Sequence, residues 1–175
     1  MRFTQKFGEL PLGYDHKYVY SNIGYNLKAT DLQAAIGVAQ LKKLNKFIEL
    51  RKKNFRYLFD RLKPYEDYLI LPKTSPDADP SWFAFPITVR ENSALTRKEI
   101  VNYLEKNKIM TRMLFAGNLI KHPAYLNIKK RVASKLEVTD RVMNNAFFVG
   151  VYPGIMADMI EYVGDVFDSI MEKIK

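Results

Sequence analysis

The sequence predicts an α+β fold, a small sheet with helices packed on it, and three observations carry that expectation. Apolar residues recur at three- and four-residue steps from Leu32 to Leu62 and again from Ile155 to Ile174, the period of amphipathic helices. Between them the stretch SWFAFPITV places Phe83, Phe85, Ile87 and Val89 on alternate positions, as a half-buried strand does. Turn-forming clusters such as PKTSPDADP separate the periodic stretches.

Residues 1–29 are rich in Gly, Tyr and Asn without a sustained period and read as an extended arm. Thr30 and Gln33 form a capping box, in which the hydroxyl accepts from an early backbone N–H and the amide reaches back. From there the apolar steps predict one long helix over 31–63. At 1.5 Å per residue it spans about 50 Å, more than a compact domain of this size buries alone. Its first half should therefore be covered by something else. Pro64 ends it.

The strand over 81–89 contains Pro86, which argues for an edge or a bulge. A second capping box, Thr96 with Glu99, starts a helix carrying Ile100, Val101 and Leu104. IMTRMLF, 109–115, reads as a strand, and 117–125 as irregular. A short helix over 140–148 capped by Thr139, a strand over 148–153 and a last helix from 155 complete the order. This divides the chain into an arm (1–29), a connecting helix (30–63) and a small α+β domain (64–175).

Composition narrows the chemistry. With 47% hydrophobic residues in 175, the chain can bury a core. The absence of cysteine excludes a disulfide framework, a thiol nucleophile and Cys-held metal within this sequence. His16 and His122 are too far apart to suggest a metal-ligand pattern, and each reads by itself as a surface or boundary residue. No apolar run is long enough to span a bilayer, and the first residues do not read as a signal peptide, so a cytoplasmic protein is expected. The formal charge of +9 favours anionic partners, much of it from the basic run over 42–63. That run reads as a solvated helix face. No nucleic-acid-binding signature accompanies it, so neither nucleic acid nor a membrane is expected as a partner.

One segment carries a resemblance. GYDHKYVYSNIGYNLKATDLQAAIGVAQLKKL, 13–44, resembles the region of the DegT/DnrJ/EryC1/StrS sugar aminotransferase family in which a Gly-Tyr-Asn loop leads into the helix joining the large and small domains. The likeness continues through SWFAFPITVRE, TRMLFAGNLIKHPAY and MNNAFFVGVYPG, and so covers almost the whole chain. GYDHKY, GYNLK and TRMLFAGNL together are similar to the branch of 3-dehydrases that act on CDP- and GDP-linked 4-keto-6-deoxy sugars.

The resemblance implies the small C-terminal domain of a fold-type-I PLP-dependent transferase. The cofactor-binding domain, with the Schiff-base lysine or the histidine that replaces it in dehydrases, would precede the region present here. No residue of this chain is then assigned the catalytic role, and PLP or PMP would belong to the intact enzyme. The resemblance further implies that Asn26 reaches the cofactor phosphate of a neighbouring subunit, with Lys28 adding charge beside it. Arg112 would pair an anionic group of the substrate or cofactor, and Asn118 would hydrogen-bond a sugar hydroxyl. Read without the family, Asn26 is a turn residue, Lys28 an exposed lysine, and Arg112 and Asn118 candidates for internal hydrogen bonds.

The expected partners are a second copy of the chain, with Tyr14, Tyr18, Tyr20 and Tyr25 packing the dimer surface, and a nucleotide-sugar substrate. A reductase partner is compatible with the dehydrase branch. The expected role is thus the C-terminal part of a nucleotide-sugar 3-dehydrase of dideoxysugar and lipopolysaccharide biosynthesis, inactive alone. An aminotransferase part and a non-catalytic remnant are the alternatives, and a basic binding module ranks last.

Overall fold

The computed structural model describes residues 4–25 and 27–174 and falls into two compact units, Met1–Leu41 and Lys42–Lys175. In the first, Asp15 caps a 3-10 turn over His16–Tyr18 by accepting from the Lys17 N–H at 3.2 Å. Helix α1 follows, Asp31–Leu41. Its capping box forms as expected: the Thr30 N–H donates to Gln33 Oε1 at 2.9 Å, and the Gln33 N–H donates to Thr30 Oγ1 at 3.3 Å. No residue of α1 is buried.

The single helix expected over 31–63 is two helices. α1 stops at Leu41, Lys42 and Lys43 form a turn, and α2 runs Leu44–Leu62. Lys43 gives α2 no side-chain cap, and helical bonding resumes where the Phe47 N–H returns to the Lys43 carbonyl at 3.1 Å. The apolar period runs through this junction unbroken, so spacing alone could not reveal it. What differs is packing: α2 buries Leu58 and Leu62 completely, whereas α1 buries nothing, and tertiary packing is what holds most protein helices together.

The second unit continues with β1 (Leu69–Ile70), β2 (Ala84–Val89), α3 (Arg97–Lys106), β3 (Thr111–Met113), α4 (Pro123–Leu126), α5 (Glu137–Asn145), β4 (Ala146–Gly150) and α6 (Ala157–Met171). The strands form one antiparallel sheet in the order β1-β2-β4-β3. Strand β1 and helix α4 are two and four residues long, too short to show a period in sequence. Helix α5 begins three residues earlier than expected, with Thr139 inside it, and β4 takes over at Ala146. The capping box of α3 is complete, with Thr96 accepting from the Glu99 N–H and Glu99 reaching back.

Phe85, Ile87 and Val89 from β2 and Phe147 and Val149 from β4 make one face of the core. Leu58 and Leu62 of α2, Ile100 and Leu104 of α3 and Phe167 and Met171 of α6 close over it. Each such side chain contributes roughly 1.5–3 kcal/mol when fully buried. Phe83, expected on the same face, is instead 70% exposed because the strand begins at Ala84. Pro86 is tolerated because β1 pairs only with Thr88 and Val89, leaving no β1 partner opposite the missing N–H.

Polar contacts join α2 to α6. Arg61 Nε donates to Asp168 Oδ2 at 2.7 Å, its Nη2 donates to Asp165, and the Tyr65 hydroxyl donates to Asp168 Oδ1 at 2.9 Å. Gly164 makes room for the Arg61 stem, since a Cβ there would lie 3.0 Å from Arg61 Cγ. Burial, with the Asp168 hydrogen bond adding to it, pushes the Tyr65 phenol up to about 12 from its ordinary 10.0. A raised pKa means that folding favours the protonated phenol, so this contribution is intact below pH 10.0 and is lost as pH rises toward about 12. Tyr65→Phe should lower stability near neutrality by about 1 kcal/mol, for the lost hydrogen bond, and flatten the decline between those two pH values. Urea denaturation midpoints across the alkaline range measure both effects, and an unchanged alkaline slope would contradict the assignment.

Candidate functional site

The candidate site grows from β3, an edge strand held at its start by α3. The Thr111 N–H and hydroxyl both donate to Glu105 Oε1, at 2.6 and 2.8 Å, and these bonds hold the Glu105 carboxyl below its usual value. Residues next to one another in a strand point to opposite faces. Thr111 is accordingly buried, while Arg112 is exposed on the face away from the main core. There it sits in register with Phe148 of β4, which in turn opposes Pro86 of β2. Arg112 Nη1 donates to the carbonyl of its own neighbour, Thr111, at 3.1 Å.

Phe148 is the hub of this second face. The rings of Phe83 and Phe115 each approach it at 6.0 Å between centroids, edge-on and tilted respectively, although both side chains are largely exposed. Such ring contacts contribute on the order of 0.5–1.5 kcal/mol beyond their buried area. The backbone beneath Phe115 is strained: its φ is +48°, in the left-handed region that a bulky residue rarely adopts. Strain of this kind costs about 1–3 kcal/mol and persists only where surrounding structure enforces it.

That enforcement comes from the turn after β3. The Gly117 N–H donates to the Leu114 carbonyl at 3.3 Å, and Gly117 itself has φ +59° with the Met143 side chain so close that a Cβ would lie 2.6 Å from Met143 Cγ. Asn118 is 2% exposed. Its Nδ2 donates to Asp140 Oδ1 at 2.7 Å and its Oδ1 accepts from the Ile120 N–H at 3.3 Å. Lys121 Nζ also meets Asp140, at 2.7 Å, and with Asn118 it holds the Asp140 carboxyl below its ordinary value. His122 closes the turn through Nε2 on the Ala116 carbonyl at 2.6 Å, which requires the ring proton on Nε2.

Beside Arg112 lies an open cavity of about 660 Å³ between β3, the end of β4 and α6. Met110, Tyr152, Met159 and Tyr162 give it apolar walls, while Lys108, Arg112 and Asp158 supply charge. The size suits a small-molecule site. An exposed guanidinium beside apolar walls binds an anion more strongly than one fully in water, because low local dielectric strengthens the pairing. The phenylalanine face and this cavity were not anticipated from the sequence. Phe83 and Phe115 flank strand ends, where alternation no longer says which face a side chain takes.

The remaining expected site residues belong to the first unit. Asn26 lies outside the described residues. Lys28 is exposed, three residues before the first residue of α1, and an exposed ammonium ahead of a helix N-terminus suits a dianionic phosphate. Tyr14, Tyr18, Tyr20 and Tyr25 are all exposed. His16 sits in the capped turn, its Nδ1 4.0 Å from Asp15. Among the described residues there is no cluster of His, Asp or Glu fit to hold a metal, and no helix long and apolar enough to cross a membrane.

The model of the DegT/DnrJ/EryC1/StrS aminotransferase family matches residues 1–168, nearly the full length. The chain belongs to this family. It is 51% identical over 168 residues to the lipopolysaccharide biosynthesis protein RfbH of Salmonella typhimurium, covering 96% of this chain and 38% of that protein. Over 162 residues it is 48% identical to the dTDP-4-dehydro-2,6-dideoxy-D-glucose 3-dehydratase of Saccharopolyspora spinosa, covering 93% of this chain and 35% of the relative. A solved structure of E. coli GDP-4-keto-6-deoxy-D-mannose-3-dehydratase with bound hydrated PLP superposes with a TM-score of 0.75 at 30% identity, over 86% of this chain and 38% of that one. The α+β fold is therefore that of a fold-type-I PLP-transferase domain, in the dehydratase branch of the family. The chain spans well under half the length of the relatives it matches.

These contacts predict how the turn responds to substitution. Asn118→Ala removes a buried amide that two partners use, and should lower unfolding free energy by roughly 1–3 kcal/mol, read as a shifted urea midpoint at unchanged slope. A midpoint within error of the parent would show that the turn is held without Asn118.

Proposed function

We propose that this chain is the C-terminal part of a PLP- or PMP-dependent nucleotide-sugar 3-dehydratase, acting on an NDP-linked 4-keto-6-deoxyhexose in the making of dideoxysugars for lipopolysaccharide. The observation that carries this reading is the 48% identity over 162 residues to a 3-dehydratase. In this reading residues 1–29 are an arm from a cofactor-binding domain, 30–63 the connecting segment and 64–175 the small domain. The chain turns over nothing alone, because no residue in it serves as the catalytic base. It acts in the cytoplasm as a homodimer, in a reaction compatible with a reductase partner.

When bound, the cofactor supplies an amine for the keto carbon and an electron sink for loss of the C3 hydroxyl. This chain contributes binding and orientation. Asn26 and Lys28 hold the phosphate of the cofactor in the neighbouring subunit, helped by the positive end of α1. Arg112, exposed on the phenylalanine face, pairs an anionic group of substrate or cofactor and so fixes its angle of approach. Asn118 acts by holding the 117–121 turn in place. A contact to a sugar hydroxyl would use its second amide hydrogen, from a side chain 2% exposed.

The test uses the chain joined to the cofactor domain of a relative. Asn26→Ala should weaken cofactor binding by about 1.5–3 kcal/mol, the range for a hydrogen bond to a charged group. The loss should fall on cofactor affinity more than on kcat, because the phosphate is held equally in ground and transition states. In mixed dimers, a subunit carrying Asn26→Ala paired with one lacking its catalytic base keeps a full-strength site only if the asparagine comes from the partner. Cofactor affinity unchanged in the single variant would leave Asn26 as a turn residue.

A further inference from the structure

Between Leu119 and Leu136 the chain carries five cations, Lys121, Lys129, Lys130, Arg131 and Lys135, and no Asp or Glu. Every residue from Pro123 to Lys135 is exposed, and Leu126, Ile128 and Val132 among them each leave about half of their surface in solvent. Both ends of this loop are tied to one residue of α5. Asp140 accepts from Asn118 Nδ2 and pairs with Lys121 Nζ, both at 2.7 Å, while its own N–H donates to the Leu136 carbonyl at 2.8 Å. Within the loop, Lys130 Nζ donates to the Tyr125 and Leu126 carbonyls at 2.6 and 2.7 Å and folds the segment 125–130 back on itself.

The charge of the loop is not cancelled within it. The side chains of Lys129, Arg131 and Lys135 make no ion pair or hydrogen bond among the described residues, and Lys130 meets only neutral carbonyls. Exposed aliphatic side chains are ordinary when scattered singly. Three of them interleaved with four uncancelled cations are what an anionic bilayer surface accepts, since the cations are attracted to the headgroups and the aliphatic groups enter the boundary with the acyl chains. A nucleic acid would use the charge but has no place for Leu126, Ile128 and Val132, and Tyr125 is the loop's one aromatic ring on which a base could stack. We propose that the 123–135 loop is a docking surface for the anionic headgroups of a lipid bilayer. Lys129, Lys130, Arg131 and Lys135 meet the headgroups, and Leu126, Ile128 and Val132 enter between them. Adhesion of this kind needs no spanning helix, so the absence of a long apolar run does not bear on it. The assignment is also independent of the reaction proposed above, because it rests on one loop within one unit and needs no cofactor.

Co-sedimentation of the 175-residue chain with vesicles of mixed phosphatidylglycerol and phosphatidylcholine should show binding at least tenfold tighter than to phosphatidylcholine alone. Raising salt from about 0.1 M to about 1 M shortens the screening length from about 10 Å to about 3 Å and should release most of the chain. Lys129→Gln with Arg131→Gln and Lys135→Gln should weaken binding at least tenfold, and Leu126→Ser with Ile128→Ser and Val132→Ser at least threefold. Both variants should keep the parent's circular dichroism spectrum, because all six side chains are exposed. Lys42→Gln with Lys43→Gln and Lys46→Gln removes the same charge outside the loop and should change binding less than twofold. The chain joined to a cofactor domain should bind the same vesicles. No preference for anionic over neutral vesicles overturns the proposal, as does binding unchanged in either loop variant. Equal losses in the loop and Lys42 variants overturn it too, since net charge would then be the cause. A short single-stranded oligonucleotide or polyglutamate bound as tightly as the vesicles would mark a general polyanion surface instead. Loss of vesicle binding in the fusion would make the loop an internal surface, and also overturns the proposal.

Discussion

The second unit depends on the position of β4 between β2 and β3. With a partner on each side, its residues must point alternately to two faces, and both faces carry apolar side chains. Phe147 and Val149 turn toward α2, α3 and α6 and form the core. Phe148 turns the other way, 9% exposed, and gathers Phe83, Phe115 and the Arg112 strand around it. A single strand register therefore sets both the stability of the unit and the place of its candidate site. A slip by one residue would exchange the two faces and remove both.

Much of this was legible in the sequence, and the losses have identifiable causes. The capping boxes at Thr30 and Thr96 form as expected because their chemistry is local: two side chains satisfy two nearby backbone donors whatever the rest of the chain does. The stripe of α6 and the alternation of β2 are similarly local. The turn at Lys42–Lys43 was invisible because the apolar period crosses it without a break, and no proline or glycine marks the place. Thr139 looked like a cap because it precedes Asp140, but α5 begins at Glu137. Strand β1 escaped notice because two residues carry no period.

The site divides along the same line. Arg112 was placed by family likeness, and the fold puts it on an exposed edge strand next to a cavity. Asn118 was expected to reach a ligand; the fold adds that one of its amide hydrogens goes to Asp140 and its Oδ1 accepts from the Ile120 N–H, two bonds that shape the turn and that no sequence spacing announces. The loop over 119–136 illustrates a third case. Its five cations are countable in the sequence, but only the fold shows that 123–135 is exposed throughout and that Asp140 ties both ends.

The central functional claim is that this chain supplies orientation and binding while the cofactor-bearing domain supplies the chemistry. The direct measurement is 3-dehydration of a 4-keto-6-deoxy nucleotide sugar, in the presence of PMP and a reductant, by two preparations: the purified chain, and the chain fused to the cofactor domain of a family dehydratase. The account predicts product from the fusion and none from the chain alone. Turnover by the isolated chain, or none by a fusion that folds and binds cofactor, would contradict it.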